Sequence, residues 1–204
     1  MTPPLIHVVD DDEAVRSALL RLLTAAGHEA RGYESTGDFL LQPLTDRPGC
    51  LLLDLQMPGP SGIELQEELL RRGIGLPVVF LTGRADIETS VRAMKSGASD
   101  FLTKPVDSAT LLAALRRALA LDAERRAANG EATRLRALFE SLTPRERQVF
   151  DRVAKGRLNK QIADDLGIAE RTVKLQRSQV MTKLQCGSAA ELGRFAERLQ
   201  QLSS

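Results

Sequence analysis

A doubly wound α/β domain with a parallel five-stranded sheet, then a helical linker, then an all-α domain of four helices, is the fold this sequence predicts. Three observations predict it. Apolar runs alternate with helical periods through residues 1–120. Four of those runs end in reactive residues: Val8-Val9-Asp10-Asp11, Leu51-Leu52-Leu53-Asp54, Val79-Phe80-Leu81-Thr82 and Phe101-Leu102-Thr103-Lys104-Pro105. Beyond Leu119 strand signals stop, and helix caps and glycine stops take their place.

Leu5–Val9 reads as the first strand, followed by an amphipathic helix from Asp12, its N-cap, to Ala26, ending at Gly27. A second strand is expected near Glu29–Tyr33, and Ser35 starts a short helix to about Leu41. Cys50–Leu53 is the third strand, and Met57-Pro58-Gly59-Pro60-Ser61-Gly62 is a turn-rich loop before a helix at Ile63–Arg72. Val78–Leu81, a helix at Ile87–Ser96 stopped by Gly97, the strand Phe101–Thr103 and a helix at Ser108–Ala120 complete the alternation. Residues 121–140, rich in Ala, Glu and Arg, read as a helical linker with an expected interruption at Asn129-Gly130. In residues 141–204 Thr143-Pro144-Arg145-Glu146 is a capping box with proline at the first helical position. Asn159 is the expected cap of a short helix ending near Leu166, before Gly167, and a longer helix follows from Glu170 to Leu184. Ser188-Ala189-Ala190-Glu191 reads as a second capping box that opens the last helix, with Leu192, Phe195, Ala196 and Leu199 on one face. A short helix, a glycine turn and a longer helix make a helix-turn-helix from about Gln161 to Val180.

Length and composition allow two small domains. The chain has 204 residues, 43% of them apolar and only 3% aromatic, so the cores must be aliphatic. No apolar run approaches the roughly 20 residues of a membrane span, and the N-terminus lacks the basic and apolar regions of a secretory signal. Cys50 and Cys186 form no C-x-x-C motif and read as reduced thiols, as expected of a cytoplasmic protein. The net charge of +1 hides an asymmetry: residues 1–120 hold 12 basic and 16 acidic side chains, residues 121–204 hold 16 and 11. An acidic front and a basic rear point to different partners.

In a flavodoxin-like strand order of 2-1-3-4-5, strands 1 and 3 are neighbours at the switch point, and ligands bind beyond the strands' carboxyl ends. Asp10, Asp11 and Asp54 are then expected within a few ångströms of one another. Such crowding raises a pKa or calls for a cation, and a hard divalent ion such as Mg²⁺ (or Mn²⁺) suits oxygen ligands. Thr82 and Lys104 are placed to bind an oxyanion. The chain has no Gly-rich phosphate loop. Together these residues predict a small site for a divalent ion and one phosphoryl group.

Over residues 5–120 the sequence resembles the receiver domain of two-component response regulators. The resemblance rests jointly on Asp10-Asp11, Asp54, Met57-Pro58-Gly59-Pro60-Ser61-Gly62, Thr82 and Lys104-Pro105. It implies that Asp54 accepts a phosphoryl group from a phosphohistidine on a sensor histidine kinase. It also implies that Asp11, Asp54 and the Gln56 backbone carbonyl bind Mg²⁺, with Asp10 acting through water. Lys104 would contact the phosphoryl group, Lys104–Pro105 would be a cis peptide, and Thr82 and Phe101 would form the switch. Dimerisation on phosphorylation would use Ile87–Ser96, Phe101 and Leu111–Arg116. Val106 stands where an aromatic residue is usual.

In the rear domain, Leu142-Thr143-Pro144-Arg145-Glu146-Arg147-Gln148-Val149, Asn159-Lys160-Gln161-Ile162-Ala163, Leu166-Gly167-Ile168 and Arg171-Thr172-Val173-Lys174 resemble the LuxR-type helix-turn-helix domain of FixJ-like response regulators. Residues 155–183 hold seven basic and three acidic side chains, which suits double-stranded DNA. The residues expected on DNA are Lys160, Arg171, Thr172, Lys174, Leu175, Gln176, Arg177, Ser178 and Lys183. Gln176 and Gln179 stand where this branch commonly has His and Asn. The function implied is a phosphorylation-controlled transcription factor that is not an enzyme beyond slow autodephosphorylation. RNA polymerase is a further expected partner, and no membrane contact is expected. Two rivals are a Mg²⁺-dependent phosphatase with an aspartate nucleophile and a constitutive DNA-binding protein with a vestigial receiver. Gln56, where a phosphatase of this kind wants a second acid, speaks against the first.

Overall fold

A computed structural model of the chain describes residues 2–43, 47–83 and 87–202. Met1, Ser203 and Ser204 of the expected domain bounds, and the side chains of Ile87, Glu88 and Thr89 of the expected dimer surface, lie outside what is described. The chain divides into two compact units, residues 1–126 and 127–204.

In the first unit the order is β1 (Leu5–Val9), α1 (Glu13–Ala25), β2 (Glu29–Tyr33), α2 (Thr36–Leu41), β3 (Gly49–Asp54), α3 (Gly62–Arg71), β4 (Val78–Thr82), α4 (Ile87–Lys95), β5 (Asp100–Thr103) and α5 (Ser108–Glu140), the last continuing into the second unit. All pairings are parallel in the order β2-β1-β3-β4-β5. Alternation along each strand divides the core into two layers. Ile6, Val8, Cys50, Leu52, Val79 and Leu81 face α1 and α5 through Leu19, Leu23, Leu111 and Leu115. Val9, Leu51, Leu53, Val78 and Phe80 face the other side, with Phe39, Ile63, Leu65, Leu69 and Ala93. Both faces of β3 are covered, which is why it reads as an unbroken apolar run.

The unit includes residues 121–126, which the sequence assigns to the linker, because a buried carboxylate anchors them. Asp122 accepts the Gly49 N–H at 2.9 Å, at the start of β3. Arg126 donates to Asp122 at 2.9 Å and to the Arg47 carbonyl at 2.8 Å. The interruption expected at Asn129-Gly130 does not occur, and α5 runs through it. Ala127, Ala128, Glu131 and Ala132 are strong helix formers, and one interior glycine costs only about 1 kcal/mol against them.

The second unit adds α6 (Pro144–Ala154), α7 (Asn159–Leu166), α8 (Glu170–Lys183) and α9 (Ala189–Gln201). Its core joins Leu142, Val149, Phe150, Ile162, Val173, Val180, Leu192 and Phe195, with Leu135, Leu138 and Phe139 of α5 packed against it. Thr143 and Glu146 complete the capping box on α6. Asn159 is not the cap of α7. That position is Leu158, whose N–H is taken by the Gln161 side chain at 3.0 Å, while Asn159 accepts from Arg177 at 3.0 Å. Ser188 caps α9, but Glu191 turns to the Gly187 N–H rather than closing a box. No helix among the described residues is long and apolar enough to cross a membrane.

Candidate functional site

Parallel register assembles the acidic site. Val9 lies opposite Leu53, so the next residues, Asp10 and Asp54, stand side by side where β1 and β3 end. Carboxylate oxygens of Asp10, Asp11 and Asp54 all lie within 4.8 Å of one another. Asp10 and Asp54 are buried, whereas Asp11 is exposed. Lys104, just beyond β5, places Nζ 2.7 Å from Asp10 Oδ2 and 2.7 Å from Asp54 Oδ2. Two carboxylates, 94 and 50 positions before Lys104, thus share its ammonium.

The electrostatics follow from burial and that shared cation. Burial pushes the Asp10 carboxyl above the usual aspartate range, against the hydrogen bond and charge of Lys104, which draw it down. Burial also disfavours the Lys104 charge, but its hydrogen bonds to Asp10 and Asp54 and their negative charges outweigh this and hold its pKa above the ordinary lysine value. An all-oxygen donor set of three carboxylates at this spacing fits a hard divalent cation.

Local structure aims Asp54. The Gln56 N–H donates to Asp54 Oδ1 at 3.0 Å. Ser61 and Glu64 form a capping box that starts α3 directly behind the strand end. Only glycine fits at position 62, since a Cβ there would stand 2.6 Å from the Asp54 carbonyl oxygen and 3.0 Å from the Phe80 ring. Thr82 is fully buried at the end of β4, and its carbonyl accepts the Lys104 N–H at 2.7 Å. The Lys104–Pro105 peptide is cis. Phe101 is half-buried, its ring centroid 6.4 Å from that of Phe80. The close approach of Gly62 and the Gln56 N–H bond to Asp54 had no signal in the sequence beyond the turn-rich stretch around them.

In the second unit the helix-turn-helix runs from α7 across Gly167, which adopts φ 63°, into α8. Val173 and Val180 point inward. Lys160, Arg171, Lys174, Leu175 and Ser178 are exposed, and Thr172, Gln176 and Arg177 are half-buried. Lys174 lies 3.5 Å from Glu170, one turn earlier. The Gln176 Oε1 is buried and has no hydrogen-bond partner. Lys183 departs from the outward orientation expected of it. Its Nζ is 2.6 Å from the buried Glu146 carboxylate and 3.3 Å from the Ser141 carbonyl, so it ties α8 to the start of α6. That pairing holds the Glu146 carboxyl below the usual glutamate range, against burial and with help from Thr143.

Comparison with known proteins agrees with both halves. The family model described as "Response regulator receiver domain" matches residues 6–116, and "Bacterial regulatory proteins, luxR family" matches residues 140–196. Nodulation protein W of Bradyrhizobium diazoefficiens is 43% identical over 97% of this chain and 87% of its own. The transcriptional regulatory protein FixJ of Azorhizobium caulinodans is 42% identical over 94% and 90%. Among solved structures, that of the response regulator StyR superposes with a TM-score of 0.91 at 47% identity, covering 97% of this chain and 100% of that one.

Proposed function

The chain belongs to the response regulators that join a receiver domain to a LuxR-type DNA-binding domain, and from that membership we infer that phosphorylation of Asp54 controls its binding to DNA. The observation that carries the reading is the Lys104 ammonium shared by Asp10 and Asp54 at the edge of the sheet.

Asp54 is the nucleophile. One of its carboxylate oxygens attacks the phosphorus of a phosphohistidine on a sensor kinase, an O–P bond forms, and the N–P bond breaks with its electrons left on the imidazole. Charge then builds on the phosphoryl oxygens, and Lys104 exchanges its Asp54 contact for one of them. Asp11, Asp54 and the Gln56 carbonyl, with Asp10 through water, would hold a Mg²⁺ (or Mn²⁺) ion, which would supply further neutralisation of that charge. The new dianionic group draws the Thr82 hydroxyl toward it, and Phe101 fills the space behind. Phosphorylation then shifts an existing equilibrium toward a form that dimerises through α4, β5 and α5. Slow loss of the phosphoryl group to water resets the switch. The residue two positions after Asp54 offers its backbone N–H and no second acid, which disfavours a phosphatase.

On the output side, Lys160, Arg171, Lys174 and Arg177 would neutralise DNA phosphates, and Thr172, Leu175, Gln176 and Ser178 would meet base edges in the major groove. The protein would act in the cytoplasm, with RNA polymerase as a further partner. DNA affinity and sedimentation should be compared with and without beryllofluoride plus Mg²⁺, for wild type and Asp54→Asn. Wild type should gain both dimer and DNA affinity, and Asp54→Asn neither. An identical response in the two proteins overturns the reading.

A further inference from the structure

We propose that Arg16 is a positioning residue for the acidic site, holding Asp10 so that its carboxylate and that of Asp11 converge on Asp54; this rests on the phosphoacceptor reading above. Arg16 lies one turn into α1 and donates from Nη1 to the Asp10 backbone carbonyl at 2.6 Å. The Asp10 N–H is held on the other side, by the Tyr33 carbonyl at 3.2 Å. Both main-chain polar groups of Asp10 are therefore committed, which fixes the direction of its Cα–Cβ bond. The carboxylate then meets the Asp12 N–H at 3.0 Å and Lys104 at 2.7 Å.

The path of the Arg16 side chain depends on a missing side chain. Its stem lies over Gly32 of β2, where a Cβ would stand 3.2 Å from both Cγ and Cδ of Arg16 and 2.9 Å from Leu20 Cδ1. Glycine at 32 leaves room for the stem across the strand, and the guanidinium reaches the Asp10 carbonyl just beyond β1. The loop between strand and helix is short, with Asp12 already serving as the α1 cap. A shift of the Asp10 carbonyl therefore passes directly to Asp11. Groups that orient metal ligands without touching the metal commonly matter about 10–100-fold in metal affinity.

The test uses the full chain with Arg16→Met, which keeps a stem without a donor, Arg16→Lys, which keeps charge and a donor, and Gly32→Ala, which crowds the stem. Mg²⁺ affinity is measured by calorimetry, and amide exchange of residues 10–12 is followed in metal-free protein. Arg16→Met should weaken Mg²⁺ binding about tenfold and speed exchange of the loop. Gly32→Ala should move both the same way, and Arg16→Lys should recover part of each. Unchanged Mg²⁺ affinity and unchanged loop exchange in Arg16→Met overturn the proposal. So does a loss in Arg16→Met that tracks general unfolding by urea and is not eased by lysine. A wild-type protein that binds Mg²⁺ yet takes no phosphoryl group on Asp54 would instead sink the phosphoacceptor reading, while both readouts still judge Arg16.

Discussion

Lys183→Met should loosen the fold of the second unit before it changes the grip on DNA. Its ammonium answers the buried Glu146 carboxylate at 2.6 Å, and losing a hydrogen bond to a charged group costs about 2 kcal/mol. Urea unfolding of the full chain should show that loss, while the folded protein's affinity for labelled DNA stays within about twofold. Lys174→Ala should do the reverse, because that side chain is exposed and has only a surface partner. The contrast explains a limit of reading residues in isolation. Both lysines lie on the same basic helix, and nothing local distinguishes them. Glu146 is readable as a cap from the Thr143-Pro144-Arg145-Glu146 spacing, but its partner stands 37 positions away. Arg16 has the same history. It follows Asp10 by six residues in a run that reads as an ordinary amphipathic helix, and only the packed β2 strand gives its stem a direction.

Helices whose caps are local were readable, and those whose ends depend on distant groups were not. Asp12 accepts from Ala14 and Val15, and Thr143 closes a capping box with Glu146, both within a few residues. Asn159 looked like such a cap, yet Arg177 of α8 claims its side chain. The long α5 departs further from its local pattern. Its packing against the sheet extends past residue 120 because Asp122 answers the first amide of β3, the strand whose other end carries Asp54. Asp122→Ala should leave the Gly49 N–H buried without an acceptor, costing about 2 kcal/mol. Hydrogen exchange should rise at Gly49 and along residues 118–126, with phosphorylation of Asp54 retained. Protection unchanged along those residues would show that apolar packing alone holds the root of α5.

For the molecule as a whole, the expected signature is dependence on two DNA half-sites. If phosphorylation works by pairing receivers, the second helix-turn-helix binds at a raised effective concentration, and avidity gains of about 10²–10⁴ become available. Beryllofluoride with Mg²⁺ should therefore raise affinity at least about tenfold for DNA with two half-sites and change it little for DNA with one. An equal gain on both would point instead to release of a masked DNA-binding surface. The two-domain plan and most of the candidate site follow from chain order, because alternating strands and helices oblige a parallel sheet to gather its strand ends on one edge. Asp10, Asp54, Thr82 and Lys104 could be named for that reason before any distance was known. The partners of Asp10 on its hidden side, the anchor at Asp122 and the inward turn of Lys183 depended on packing. Each is a polar contact between groups that only packing brings together, and such contacts leave no periodic mark along the chain.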